Sequence, residues 1–158
     1  MIDFMVLGLP RSGTAWMANF LTTNDSVCLH ESFMDYDLDQ LNKLDLGCKL
    51  GISETAGIFH IDAINAIDCK KLIIERPLDE INNSLVNLRF PTMRIEHVEM
   101  LSKLEGHRVK FTELFTEKTM KFVCKEIAQI EFNIHRFHQL CKMHVENIDA
   151  INRVRSMI

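Results

Sequence analysis

Three prolines and six glycines are all that a chain of 158 residues contains, which argues against collagen-like repeats and Pro/Gly-rich linkers. No Cys-x-x-Cys pair occurs, and Cys28, Cys48, Cys69, Cys124 and Cys141 are odd in number and widely spaced. That pattern argues against a disulfide framework and suits reduced, mostly buried thiols. No run of Lys/Arg is present and the formal net charge is −4, so the footprint of a nucleic-acid binder is missing and any anion site is local. The opening MIDFMVLGLPRSG carries an early Asp and a short apolar run. It reads neither as a signal peptide nor as a membrane span, and the expectation is a cytoplasmic protein with no membrane partner.

Hydrophobic residues make up 47% of the chain, enough for a full core. A chain of this length buries roughly 68–70% of its unfolded surface, so no metal or disulfide is needed for stability. Nothing divides it, and one domain over 1–158 is expected.

Apolar runs alternate with helical periodicity. Phe4–Leu7 reads as a strand, Thr14–Thr22 as a helix, Ser26–Leu29 as a strand and Phe33–Leu44 as a helix. Leu46 to Asp62, with Gly47, Gly51 and Gly57, reads as loop with short extended pieces. Lys71–Glu75 then reads as a strand, Leu78–Leu88 and Met93–Leu104 as helices, Arg108–Phe111 as a strand, and 116–158 as a C-terminal helical region. This alternation predicts a three-layer α/β/α fold with a parallel, P-loop-like sheet. In such a sheet ligands bind at the carboxyl ends of the strands.

Within the last region Ile127, Ile130, Ile134, Phe137, Cys141, His144, Ile148 and Ile151 follow 3-and-4 spacing. The stripe reads as a packing face of one long helix, broken near Phe132–Asn133. Its second reading is a self-association seam making a homodimer. His135, His138, Cys141 and His144 recur every third residue, but at about 100° per residue their directions sweep half the helix, so they do not converge on a metal.

The chemistry concentrates in MVLGLPRSGTAWMANFL, an apolar strand running through Gly8-Leu9-Pro10-Arg11-Ser12-Gly13-Thr14 into a helix. Glycines let backbone approach an anion, and the unpaired N–H groups of the first helical turn point at it. The Gly8-x4-Gly13 spacing matches a Walker-type loop, yet Thr14 stands where a nucleotide triphosphatase or nucleotide kinase needs Lys.

Pro10-Arg11-Ser12-Gly13-Thr14-Ala15-Trp16 resembles the signature of the PAPS-dependent sulfotransferase family, Pro-Arg/Lys-Ser-Gly-Thr-Thr-Trp, at six of seven positions. The resemblance implies that the loop holds the 5′-phosphosulfate end of 3′-phosphoadenosine 5′-phosphosulfate (PAPS), with Arg11, Ser12, Gly13 and Thr14 on the anion and Trp16 near the adenine. Ala15 replaces a hydroxyl the family usually supplies, a loss of about 1 kcal/mol of hydrogen bonding. A second match is Arg76-Pro77 with Ser84 eight residues after the Arg, the family's interval for holding the 3′-phosphate. Here Arg-Pro replaces the usual Arg-Asp/Asn-Pro. A guanidinium at a strand end and a hydroxyl two turns into the next helix suit one phosphate. Val109-Lys110-Phe111-Thr112-Glu113-Leu114 resembles the family's late strand and turn, where Glu113 would hold the turn. The family's C-terminal Arg-Lys-Gly element has no counterpart, unless Arg153 or Arg155 stands in.

Sulfuryl transfer needs a base for the acceptor and positive charge on the leaving phosphate. Arg11 is the natural electrophile. His30 and Glu31 follow the second strand and should emerge at the same sheet edge; Glu31 is the first choice of base, by resemblance to the carboxylate-using branch of the family, and His30 the second. The expectation is a small sulfotransferase that uses PAPS, or binds its product adenosine 3′,5′-bisphosphate, and acts without metal on a small-molecule or glycan acceptor. The alternatives are a non-catalytic relic that binds a partner through the C-terminal helix and, less well supported, a nucleotide kinase.

Overall fold

The structure, a computed structural model, describes residues 1–143. Five parallel strands lie in the order β2-β3-β1-β4-β5, formed by β1 (Ile2–Gly8), β2 (Ser26–His30), β3 (Lys49–Glu54), β4 (Lys70–Glu75) and β5 (His107–Lys110). Seven helices connect and cover them: α1 (Thr14–Leu21), α2 (Leu38–Lys43), α3 (Ile61–Ala66), α4 (Leu78–Asn87), α5 (Ile95–Ser102), α6 (Glu117–Phe122) and α7 (Ile134–Lys142). The three-layer α/β/α architecture is therefore as expected.

Strand alternation sorts the two cores. Phe4 and Val6 of β1 join Leu72 and Ile74 of β4 beneath α1, α6 and α7. Met5 and Leu7 join Ile52 of β3 and Ile73 of β4 beneath α2, α3, α4 and α5. Successive side chains leave a strand on opposite faces, so a strand apolar throughout is buried on both sides. Central β1 pairs with β3 on one side and β4 on the other. The helix after β1 leads to β2, whereas the helices after β4 lead to β5. Adjacent strands β1 and β4 thus diverge at their carboxyl ends, the place where such sheets open a ligand crevice.

Two segments depart from expectation. Leu46 to Asp62, expected as loop with short extended pieces, contains the six-residue strand β3 and the start of α3, which continues to Ala66. Gly51 misled the reading: it is a strand residue that must be small, because an added Cβ would lie 2.1 Å from the ring of Phe4. Phe33–Leu44 is not one helix but a 3₁₀ turn over Ser32–Met34 followed by α2. The restart is set by Asp37, whose carboxylate accepts from the Gln40 N–H (2.7 Å) while Gln40 Oε1 accepts from the Asp37 N–H (2.9 Å), a capping box.

The C-terminal region is broken close to Phe132–Asn133, as expected. After α6 comes a π-helical turn, Val123–Ala128, which ends where Gln129 turns left-handed at φ 52°. Asn133 then caps α7, accepting from the Arg136 N–H at 2.9 Å. The break resets the helical phase, so Phe137 and Leu140 are the buried residues of α7 while Ile134 and Cys141 face outward. The apolar stripe is thus not continuous through this segment. Its remaining members, His144, Ile148 and Ile151, lie outside the described residues, as do Arg153 and Arg155. Cys28 and Cys124 are buried, and burial pushes both thiols up, Cys124 to about 12.

Candidate active site

The loop between β1 and α1 is shaped by two left-handed residues, Arg11 at φ 68° and Gly13 at φ 88°. Glycine is required at the second: besides its dihedral, an added Cβ would meet Leu114 at 3.1 Å. Gly13 caps α1 without any side-chain hydrogen bond, and no acidic residue stands in the first turn. The N–H groups of Thr14, Ala15 and Trp16 therefore have no intrahelical acceptor. Ser12 is fully buried in the loop, and its hydroxyl has no hydrogen-bond partner among the described residues. A buried polar atom left this way is costly. An anion in the loop would relieve both deficits.

Two arginines meet at the carboxyl ends of adjacent strands, where Gly8 of β1 pairs with Ile74 of β4. Arg11 Nε donates to Ser84 Oγ at 2.9 Å. Arg76 Nη1 donates to the Arg11 carbonyl at 2.5 Å, its guanidinium lies 4.1 Å from the Phe111 ring centroid, and its Nε pairs with Glu80 at 3.2 Å. Ser84 thus touches Arg11 directly and is linked to Arg76 through it. The arrangement holds two guanidinium groups in one place, each oriented by neighbours on a different element. At the following turn Glu113 accepts from the Lys110 N–H at 3.3 Å, the architectural task expected of it.

Opposite stand the carboxylates. Glu31 follows β2 in the left-handed region at φ 55°, and its Oε1 accepts from Thr55 Oγ1 at 2.9 Å. His30 Nε2 lies 3.5 Å from Glu31 Oε1 and 3.3 Å from Thr14 Oγ1. The two candidate bases are therefore one connected group that reaches Thr14 at the start of α1. Burial raises the Glu31 pKa, opposed by its bonds from Thr55.

Sequence reasoning missed a second acid. Glu54, the last residue of β3, is fully buried; Ser32 Oγ donates to its Oε1 at 2.5 Å and the Phe33 N–H at 3.2 Å, while Oε2 has no partner among the described residues. Burial, with the nearby charge of Glu31, pushes its pKa up to about 7 against those hydrogen bonds. By clasping Ser32 and Phe33 it fixes the turn that presents Glu31. Once β3 is recognised as a strand, a terminal acid next to Thr55 becomes a visible signal.

A cavity of about 980 Å³ opens over this sheet end. Arg11, Gly13, Thr14, Ala15, Trp16, His30, Glu31 and Arg76 all line it. Of the expected site residues, Ser12 lies within the loop and Ser84 behind Arg11. Trp16 presents little of its surface: it is 4% exposed, stacks on Phe20 at 5.3 Å, meets Phe115 edge-on, and donates its indole N–H to the Leu140 carbonyl at 3.3 Å. Among the described residues no cluster of three His, Cys, Asp or Glu could hold a metal ion, and no helix is long and apolar enough to cross a membrane.

No family model matches the chain, and no curated relative does. Among solved structures the chain is similar to mouse sulfotransferase SULT7A1 complexed with PAP, at a TM-score of 0.56 and 13% identity. The match covers 89% of this chain and 63% of the mouse protein. At that identity the likeness concerns the fold, and the fold is sulfotransferase-like.

Proposed function

We propose that this chain is a small cytoplasmic sulfotransferase that moves a sulfuryl group from PAPS to a hydroxyl or amine acceptor. One observation carries the reading: Arg11, Arg76, the uncapped start of α1 and the unpartnered Ser12 hydroxyl gather at one sheet end, facing Glu31. These groups fit a nucleotide with two separated anionic termini. The likeness in fold to a protein crystallised with PAP supports the same ligand class.

Bound PAPS would supply an electrophilic sulfur and a bisphosphate leaving group. The loop N–H groups, Ser12 and Arg11 would hold the 5′ end and neutralise charge on the departing phosphate. Arg76, with Ser84, would hold the 3′-phosphate, and the aromatic wall of Trp16 and Phe111 would border the base. Glu31 would take the proton from the acceptor's hydroxyl or amine as that atom bonds to the sulfur of PAPS, with adenosine 3′,5′-bisphosphate as the leaving group. Its raised pKa brings it nearer neutrality and strengthens it as a base. His30 orients Glu31 and ties it to Thr14. No step needs a metal.

The test is thermal unfolding with adenosine 3′,5′-bisphosphate. Protection in the wild type, lost in the Arg11→Ala, Arg76→Ala double variant, is the expected result; no shift at about 1 mM ligand, where even a weak site is occupied, overturns the cofactor assignment. Transfer of label from PAPS then separates an enzyme from a non-catalytic binding protein of the same fold.

A further inference from the structure

Two acid–hydroxyl pairs in the sequence, Glu31-Ser32 after β2 and Glu54-Thr55 at the end of β3, meet across paired strand ends. The pairing of the two strands runs to His30 opposite Ser53, and one step further the Glu31 N–H donates to the Ser53 carbonyl at 3.0 Å. Beyond that point each acid takes the hydroxyl that follows the other. Ser32 Oγ donates to Glu54 Oε1 at 2.5 Å, and Thr55 Oγ1 donates to Glu31 Oε1 at 2.9 Å. The clasp is crossed, so neither segment can shift without disturbing the other's carboxyl. The charge of Glu31 is felt at Glu54, where it adds to the effect of burial in raising the pKa.

The backbone at Glu31 needs such a hold. It is left-handed, φ 55° and ψ 39°, a conformation that a glutamate keeps only where its surroundings impose it. The turn closes on itself through the Met34 N–H, which donates to the Glu31 carbonyl at 3.2 Å, and the Tyr36 N–H, which donates to the Ser32 carbonyl at 2.9 Å. Glu54 adds two ties from the turn to the sheet, at Ser32 Oγ and at the Phe33 N–H. It does so at a loss of stability: it sits opposite Leu7 of β1, fully buried, with Oε2 unpartnered among the described residues. An unsatisfied buried acid of this kind calls for a role other than packing. Among the described residues Glu31 and Thr55 line the cavity and Glu54 does not, which leaves Glu54 to act through a neighbour.

We propose that Glu54 is a positioning residue for sulfuryl transfer, holding Glu31 through Ser32 and Phe33 in the left-handed conformation that presents its carboxylate to the cavity. The inference rests on the sulfuryl-transfer reading. Glu54 touches neither nucleotide nor acceptor, so its whole effect on the reaction passes through Glu31. An acceptor oxygen at Oε1 is what the clasp requires, and an amide oxygen supplies one as a carboxylate does.

The experiment is steady-state release of adenosine 3′,5′-bisphosphate from PAPS by the full chain, with water as the acceptor. Glu31 would take a proton from water as its oxygen bonds to the sulfur of PAPS, with sulfate and the bisphosphate as products. Glu54→Leu is expected to lower kcat by about 10–100-fold, the scale of a misplaced catalytic group, with KM for PAPS within about twofold. Glu54→Gln, which keeps the oxygen, should stay within about threefold of the wild type. In a Glu31→Gln background Glu54→Leu should change kcat by less than about twofold, because residues that act as a unit do not add. Ser32→Ala keeps the acid and removes one donor; it should lower kcat by about threefold or more and gives a reading independent of whether Glu54→Leu folds. Wild-type turnover in Glu54→Leu or in Ser32→Ala, a loss that Glu54→Gln shares, or an undiminished loss in the Glu31→Gln background overturns the positioning role alone. If the wild type is protected by the bisphosphate yet releases none from PAPS, the sulfuryl-transfer reading falls and the role of Glu54 with it.

Discussion

On the cationic side of the cavity one continuous stretch, Gly8 to Trp16, supplies most of the site, and Arg76 pins it from the next strand. On the carboxylate side the groups arrive from separate segments: Glu31 after β2, Glu54 and Thr55 from the end of β3, and Ser32 from the turn between them. The first side depends on backbone conformation, with Gly13 and Arg11 left-handed and a helix start left uncapped. The second depends on burial, which raises the pKa values of both acids. Anion binding needs fixed N–H groups and permanent charge, which local geometry provides. A base near neutrality needs desolvation, which only packing provides.

Substitutions should separate the two sides. The largest effect is expected from Arg11→Ala with Arg76→Ala, weakening adenosine 3′,5′-bisphosphate by about 100-fold or more, since each arginine contributes a charge-assisted contact worth about 1.5–3 kcal/mol. Calorimetry reads this directly, and a change below about tenfold would break the comparison. Next comes Glu31→Gln, which should cut sulfuryl transfer from PAPS by about 10²–10⁴-fold, the usual contribution of a general base, while bisphosphate affinity stays within about twofold. Loss of both together would mean that the two sides are not separable.

Glu54→Gln tests burial on the carboxylate side. Because the folded-state pKa of Glu54 is raised from 4.5 to about 7, folding favours the protonated acid. Its contribution is fully present below about pH 4.5 and is lost as pH rises through about 7. The wild type should lose roughly 3 kcal/mol over that window from this group, whereas Glu54→Gln should flatten the dependence. Urea unfolding at a series of pH values checks it, and an unchanged slope would remove Glu54 from the account. The smallest effect is expected from Thr55→Val. Without the Thr55 hydroxyl the Glu31 pKa should move further up, moving the acid limb of activity to higher pH, as ¹³C NMR titration of the Glu31 carboxyl would show.

The same contrast explains what could be read from the sequence. Arg11, Gly13, Thr14, Arg76 and Ser84 sit at fixed intervals around strand and helix boundaries, and local spacing fixes where such residues go. His30 and Glu31 were visible as candidates but read as rivals, because nothing in their spacing tells that Thr14 Oγ1 and Glu31 Oε1 both lie within reach of one imidazole nitrogen. Glu54 was invisible because β3 was hidden behind three glycines, and Gly51 owes its identity to Phe4, forty-seven residues earlier. The break near Asn133 was legible, but the reset of helical phase turned on Gln129, a residue type with no strong preference for the left-handed conformation it adopts.

The central claim is that two phosphates of one nucleotide are held at the ends of adjacent strands β1 and β4. Its most direct test is calorimetric comparison of adenosine 3′,5′-bisphosphate with adenosine 5′-monophosphate, which lacks the 3′-phosphate. The account predicts that the bisphosphate binds at least about tenfold more tightly and that Arg76→Ala abolishes the difference. Equal affinity for the two nucleotides, or a preference for the monophosphate, would contradict it.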